Sequence, residues 1–365
     1  MKERKRTSAS EKYTNDYDDG YGAARRNRSN TPDDKPRSKF RVILISVLGV
    51  LIALALAVGI GGYVFVDRIA DKVQYKAIDP IFDRAFIFDN PDTDLSYDSD
   101  VHNILICGVD GDSSNAGRSD SMMLLSIDKS TKKLKLTSFQ RDTYVYIPDP
   151  DGGYNSKLTN AYSYGGIGLA VRTIEYNFLV RIDNYITVNF ETFRTIVDIL
   201  GGVDLYLTER EILYINSQVA QNGQTDYLDA CEGVVTLNGT QALWHARNRG
   251  GYINGEKFYE DTDWDRTQRQ RDFLGSVIGE IKDTSVINML KIADEVGPYI
   301  TTDLTKSELK KLIFKCISYR NYDVIDYSMP SEKTWVYADN AAGNVIYVND
   351  WDVVISDLYK YIYED

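Results

Sequence analysis

VHNILICGVDGDSSNAGRSDSMMLLSIDKSTKKLKLTSF, residues 101–139, decides the fold. VHNILICGV is a short apolar run closed by a loop rich in Gly, Ser and Asn, which reads as a buried strand. MMLLSID and KLKLTSF read as two more, joined by the turn DKSTKK, and the alternation in YITVNF near Tyr185 predicts a fourth. Helical spacing falls between and after them: Ile167 to Phe178, Phe190 to Leu200 with its stop at Gly201-Gly202, Asn238 to Arg247, about Asp263 to Lys282, Thr305 to Tyr319 and Asp350 to Tyr363. Strands alternating with helices imply a layered α/β domain with its sheet covered on both faces, and no internal repeat is present.

Upstream of this domain the chain changes character. Residues 41–66, RVILISVLGVLIALALAVGIGGYVFV, carry no charge between Arg41 and Asp67. As a helix they would reach about 39 Å, enough to span a bilayer with some tilt. They are too long, and begin too far into the chain, for a cleavable signal. Up to Arg41 there are 12 Lys and Arg against 7 Asp and Glu, whereas the whole chain of 365 residues carries −12. Positive flanks stay inside, so the bulk of the chain is expected outside the cytoplasmic membrane. Residues 1–40 read as a disordered basic tail, 67–100 as a juxtamembrane stalk ending in DNPDTDLSYDSD, and 101–365 as one outer domain. No DNA-binding pattern accompanies the basic tail, so no nucleic-acid partner is expected. Cys107, Cys231 and Cys316 are an odd set at wide spacings and read as buried single thiols. With only His102 and His245 present, no zinc site or catalytic Cys-His pair is expected, and any metal should be a hard, oxygen-seeking ion.

The chemistry lies in scattered arginines and aspartates. Asp110 closes the first strand, Arg118 and Asp120 precede the second in GRSD, and Arg141 and Asp142 follow the third in FQRDT. A strand end and a strand start bring Asp110 and Asp120 to one sheet edge, as two carboxylate ligands for a cation. Each is equally a turn former. Arg247 and Arg249 in ARNR would not share a helix face, so both converge only if the helix ends there. Arg266 and Gln270 in DRTQRQ lie one turn apart on one face. Alone, Arg266, Arg269 and Arg271 read as a solvated face paired with Asp261, Asp263, Asp265 and Asp272. Guanidinium forks bind phosphate oxygens, and carboxylates sharing their site need a cation between them, so the set together suggests a pyrophosphate site with a metal.

These motifs, in this order behind one apolar segment, resemble the LytR-CpsA-Psr family of Gram-positive cell-envelope enzymes. The resemblance runs through NILICGVD, GRSDSMMLLSID, QRDTYVYIP, KLTNAYSYGG, VNFETF, IVDILGGVDL, LNGTQALWHARNR and DTDWDRTQRQRDFL. It implies an αβα domain with a central mixed sheet and a long hydrophobic pocket for a polyprenyl chain. It also implies transfer of a phosphoglycan, of teichoic acid or capsular type, from undecaprenyl pyrophosphate to a peptidoglycan hydroxyl. Carried over residue by residue, Asp110 and Asp120 would hold magnesium, with manganese as an alternative. Arg118, Arg141, Arg247, Arg249, Arg266 and Gln270 would hold the pyrophosphate, with Arg118 and Arg141 at the reacting centre. Arginine is no proton acceptor, so any base would be Asp142 or a metal-ligating Asp. Two departures stand out: FQ before Arg141, where the family usually has an apolar residue and proline, and Trp244-His245 before ARNR. A binder of polyprenyl phosphates that transfers nothing, and a pyrophosphatase using water, need the same residues and stay open.

Overall fold

A computed structural model describes residues 61–84, 95–110, 117–229, 231–253, 256–260 and 262–364, without the side chains of Asp110, Arg118 and 251–260. The predicted tail, and residues 41–60 of the predicted membrane segment, lie outside the described residues. Among those described, no helix is long and apolar enough to cross a membrane. A helix α1 over 61–72 leads to β1 (Gln74–Tyr75). The reading of residues 67–100 as a stalk is corrected in part: β1 pairs into the main sheet, and Phe82 is buried in the main core.

The predicted strands follow as β2 (Val101–Asp110), β3 (Arg118–Asp128) and β4 (Lys133–Phe139), then a hairpin of β5 (Tyr144–Ile147) and β6 (Tyr154–Lys157). Next come α2 (Leu158–Phe178), β7 (Asn184–Asn189), α3 (Phe190–Leu200), β8 (Val203–Leu207), α4 (Glu209–Gln221), β9 (Gly233–Leu237), α5 (Gly239–Arg247), β10 (Gly250–Ile253) and β11 (Glu256–Glu260). The chain closes with α6 (Asp263–Asp283), α7 (Val286–Val296), β12 (Thr301–Thr302), α8 (Lys306–Tyr319), β13 (Asp323–Met329), the hairpin β14 (Trp335–Asn340) and β15 (Gly343–Val348), and α9 (Trp351–Tyr359).

Seven strands form the central sheet in the order β1-β12-β7-β2-β3-β4-β13. It is mixed, since β2 pairs parallel with β7 and antiparallel with β3, and β4 parallel with β13. Alternate side chains of β2 point to opposite faces. Leu105 and Cys107 join Met122, Leu124 and Phe178 in the core beneath α2 and α9. Ile104 joins Ile127, Leu134 and Ile186 under α6 and α8, with Ile278, Leu312 and Cys316 against them. A third cluster, including Val197, Leu205, Ile215, Ala242 and Phe273, binds α3 to α6 with the β8–β9 ribbon. Of the three thiols, Cys107 is buried and its pKa is pushed up to about 12 by that burial. Cys316 is half-buried, but Cys231 is exposed, against the expectation of burial.

The helix predicted from Ile167 starts earlier, at Leu158, and is broken where Gly165 and Gly166 leave helical geometry, Gly166 at φ 61°. A Cβ on Gly165 would meet the Phe82 ring at 2.6 Å, so the break admits that ring. On the same helix the fully buried Glu175 accepts from Arg172, from Arg84 and from the Ile182 N–H at 2.9 Å. Substituting Glu175→Gln should cost about 3 kcal/mol, because removing one member of a buried ion group strands the others. Urea unfolding of the wild-type and variant proteins would measure it.

Candidate active site

Strand ends and a helix start meet at one edge of the sheet. The backbone of Asp110, ending β2, pairs with that of Arg118, opening β3. One step inward the ladder slips: Gly108 faces Ser121 and Val109 faces Ser119, leaving Asp120 as the extra residue of a β-bulge. A bulge takes its extra residue out of the ladder and re-aims its side chain. The strands approach closely there, for a Cβ on Gly108 would lie 3.1 Å from that of Ser121.

Arg141 emerges beside the bulge as β4 ends. Its Nη1 donates to Asp120 Oδ1 at 2.5 Å, and its Nε lies 3.5 Å from both Asp142 and Asp263. Asp142 is held from the other side by Lys157 Nζ at 3.0 Å. Gln140, buried, donates to Thr267 at 2.8 Å and so ties the end of β4 to α6. The departure from an apolar-proline pair before Arg141 thus has a structural role.

The first turn of α6 supplies the hub. Thr262 and Asp265 close a capping box, and between them Asp263 enters the cluster. Arg266 Nη2 reaches Asp263 Oδ1 at 2.8 Å and the Asp120 carbonyl at 3.3 Å, while Arg249 Nη2 donates to the same Asp263 oxygen at 3.1 Å. Three guanidinium groups, from Arg141, Arg249 and Arg266, therefore gather on one carboxylate. Asp263 was read from sequence only as a surface partner of the α6 arginines. Its position three residues before Arg266, on the same face, was the signal that would have found it.

The remaining predicted residues divide. Helix α5 does end at Arg247, as convergence required, with Asn248 extended at ψ 130°. Arg249 turns into the cluster, but Arg247 lies over the Phe190 ring at 4.5 Å and near Trp244 at 5.6 Å. Gln270 Nε2 donates to the Ala246 carbonyl at 3.3 Å, from beneath the same turn. The reading of Arg266, Arg269 and Arg271 as a solvated face is corrected, since all three are buried. Arg269 pairs with Glu211 at 3.2 Å and donates to the Asn248 carbonyl at 2.9 Å, fixing the turn between Arg247 and Arg249. Arg271 pairs with Asp326 at 2.8 Å. These two are scaffold.

Burial dominates the electrostatics. It raises the Asp263 pKa above the ordinary carboxylate range against the pull of Arg266 and Arg141, and it lowers that of Arg266. Each partner thus loses more by desolvation than the other restores, so the cluster costs stability as it stands. The Nε donors of Arg141 and Arg266 and the Oε1 of Gln270 are buried without a hydrogen-bond partner among the described residues. His245, in the preceding helix, is pushed down to about 4 by burial and is neutral near pH 7. Among the described residues no three His, Cys, Asp or Glu side chains cluster as a metal site, and the Asp110 side chain is not among them. Asp120 engages Arg141 through Oδ1 alone and sits two residues from the backbone partner of Asp110, a donor set that fits a hard cation.

The sequence model of the LytR_cpsA_psr family matches residues 76–351. Over 234 residues the chain is 35% identical to the polyisoprenyl-teichoic acid–peptidoglycan teichoic acid transferase TagU of Oceanobacillus iheyensis, a match covering 62% of this chain and 66% of that protein. With TagU of Enterococcus faecalis it shares 28% over 289 residues, covering 78% and 85%. The match to the first of these thus spans just under two thirds of that relative's length. The solved structure of TagT bound to LIIa-WTA superposes with a TM-score of 0.57 at 25% identity, covering 74% of this chain and 92% of that chain. TagT with bound octaprenyl pyrophosphate lipid gives 0.54 at 23% over the same shares, a likeness of fold. Both carry a mixed α/β domain like this one. With three quarters of its length matched by the family model and its mixed sheet shared with solved members, the chain belongs to the LytR-CpsA-Psr family.

Proposed function

We propose that the protein transfers a phosphate-linked glycan of the teichoic acid type from a polyprenyl pyrophosphate carrier to a peptidoglycan hydroxyl, outside the cytoplasmic membrane and anchored to it by residues 41–66. The observation that carries this reading is the convergence of Arg141, Arg249 and Arg266 on Asp263 with buried Nε donors left over. A pyrophosphate would satisfy those donors and relieve the mutual repulsion of the guanidinium groups. An apolar strip supports the lipid part. Ile106, Ile186 and Val188 lie half-buried on the sheet face shared with the α6 arginines, and α3 with half-buried Ile196 and Ile199 packs beside them. The names of the relatives supply the glycan and the acceptor.

In this mechanism the acceptor hydroxyl oxygen bonds to the glycan-side phosphorus as the bond from that phosphorus to the bridging oxygen breaks. Polyprenyl phosphate leaves, and the glycan keeps one phosphate as a phosphodiester. Arg141, Arg249 and Arg266 neutralise charge on the phosphate oxygens, the main source of acceleration in phosphoryl transfer. As they turn to the phosphates, Asp263 loses its partners beside a polyanion, and its already raised proton affinity rises further. It then takes the hydroxyl proton. Asp142, held by Lys157 and Arg141, is the less available carboxylate. Asp110 and Asp120 would hold magnesium, which when bound neutralises pyrophosphate charge.

Two measurements test the reading. Melting the protein with and without polyprenyl pyrophosphate and magnesium should raise its midpoint, since ligand at about 100 times its Kd adds about 2.7 kcal/mol. No rise removes the site. Labelled lipid-linked glycan incubated with peptidoglycan should leave label on the wall polymer. Free phosphoglycan would assign hydrolysis instead, and unchanged substrate a binder without turnover.

A further inference from the structure

The end of the sheet opposite the arginines carries a second cationic surface. Helix α8 crosses there from the end of β12 to the start of β13, and its first two turns grip α1. Lys306 Nζ lies 2.9 Å from Asp67 and 2.6 Å from Asp71, and Lys310 Nζ lies 2.7 Å from Asp67 and 3.1 Å from the Tyr63 hydroxyl. Asp67 is the first charged residue after the apolar run, and Val66 and Ile69 beside it are each 1% exposed. The chain is therefore clamped to α8 where the apolar run ends.

The next faces of the same helix are unpaired. The ammonium groups of Lys311 and Lys315, one turn apart, make no ion pair or hydrogen bond among the described residues, and Glu308 is an electrostatic neighbour of Lys311. Both line a pocket of about 350 Å³ with Lys129 and Arg181, against the two carboxylates Asp183 and Glu308. Lys129 Nζ donates only to a backbone carbonyl, that of Ser99 at 3.0 Å, whereas Arg181 is paired with Asp183 at 3.2 Å. Beside the lysines Phe314 is 45% exposed and Ile317 38%, and on α1 Tyr63 and Val64 are 53% and 60% exposed. Apolar side chains interleaved with lysines, on a helix fastened to the end of an apolar segment, match the chemistry of an anionic bilayer surface.

We propose that this end of the domain seats on anionic phospholipid: the pocket takes a phosphate headgroup between Lys129, Arg181, Lys311 and Lys315, while Phe314, Ile317, Tyr63 and Val64 enter the interface. The proposal rests on residues 41–66 being the membrane anchor. It stands the transfer site about 30 Å off the bilayer, the length of the ten-residue β2, so the site faces the wall and the carrier lipid must climb the apolar strip between the two ends.

The test uses the full chain in nanodiscs of phosphatidylglycerol or phosphatidylcholine with brominated acyl chains. The emission added by Phe314→Trp over wild type should fall about twofold in phosphatidylglycerol discs and stay unquenched in phosphatidylcholine. In a Lys311→Glu/Lys315→Glu background the quenching should vanish with the melting midpoint unchanged. Equal quenching in both lipids, or none in either by a chain that has entered both, overturns the seat and leaves the anchor standing. A chain that enters neither disc overturns the anchor and the seat together. Slowed hydrogen exchange at residues 308–319 with inorganic phosphate in phosphatidylcholine discs would assign a soluble-anion site and likewise overturn the lipid seat.

Discussion

Arg266→Ala should lower glycan transfer about a thousandfold, the scale on which losing a guanidinium aimed at a reacting phosphoryl group is felt. Arg266 is the deepest of the three clustered arginines, at 4% exposure, and the only one that touches both Asp263 and the Asp120 backbone. Its loss removes a fork of donors and also unties α6 from the bulge. Arg266→Lys separates these effects. Lysine keeps the charge but offers one point of attachment, and should still lose about a hundredfold. Transfer of labelled lipid-linked glycan reads both. If Arg266→Ala turns over like wild type, the cluster is a scaffold, in the manner of Arg269 and Arg271.

The Asp263→Asn variant should split binding from turnover. The amide no longer competes with phosphate for three guanidinium groups, so KM for the pyrophosphate carrier should fall. With no carboxylate to accept the hydroxyl proton, kcat should drop about a hundredfold or more. The pH profile gives a second reading. A carboxylate with a raised pKa is protonated as pH falls through a range above the ordinary 3.8, so wild-type kcat should decline on that acid side and the Asn variant should not. Stability runs the other way. The native state binds the extra proton, so this group's contribution to stability weakens as pH rises from the ordinary carboxylate range through its raised pKa. Asp263→Asn should remove that slope in unfolding measurements as well. An unchanged kcat would return Asp263 to the role of a counter-ion.

The central strands were readable because they are continuously apolar, and buried strands leave that trace. Strand β13, DVIDYSM, left none: it is an edge strand, half-exposed, recruited by parallel pairing to β4 almost 200 residues upstream. Helix α4 went unread although Thr208 and Glu211 close a capping box at its start and Ile212, Ile215 and Val219 follow at helical spacing. At the site, residue types were legible and partnerships were not. Arg269 and Arg271 looked solvated because Glu211 and Asp326, which bury them, lie 58 and 55 residues away. Asp263 was hidden by its neighbours, since an Asp-rich start is what any helix amino terminus favours. The resemblance to the family placed Arg247 with the phosphate ligands; the structure lays it on Phe190.

The slipped register at Asp120 has a consequence of its own. Delete that one residue and Ser119 and Ser121 fall into step with Val109 and Gly108, giving β2 and β3 an uninterrupted ladder. The repaired strand pair would be the more regular structure and would carry no carboxylate where Arg141 now points. Perfection of the sheet and possession of the reaction are alternatives at this position, and selection for heat tolerance alone would choose the inert one.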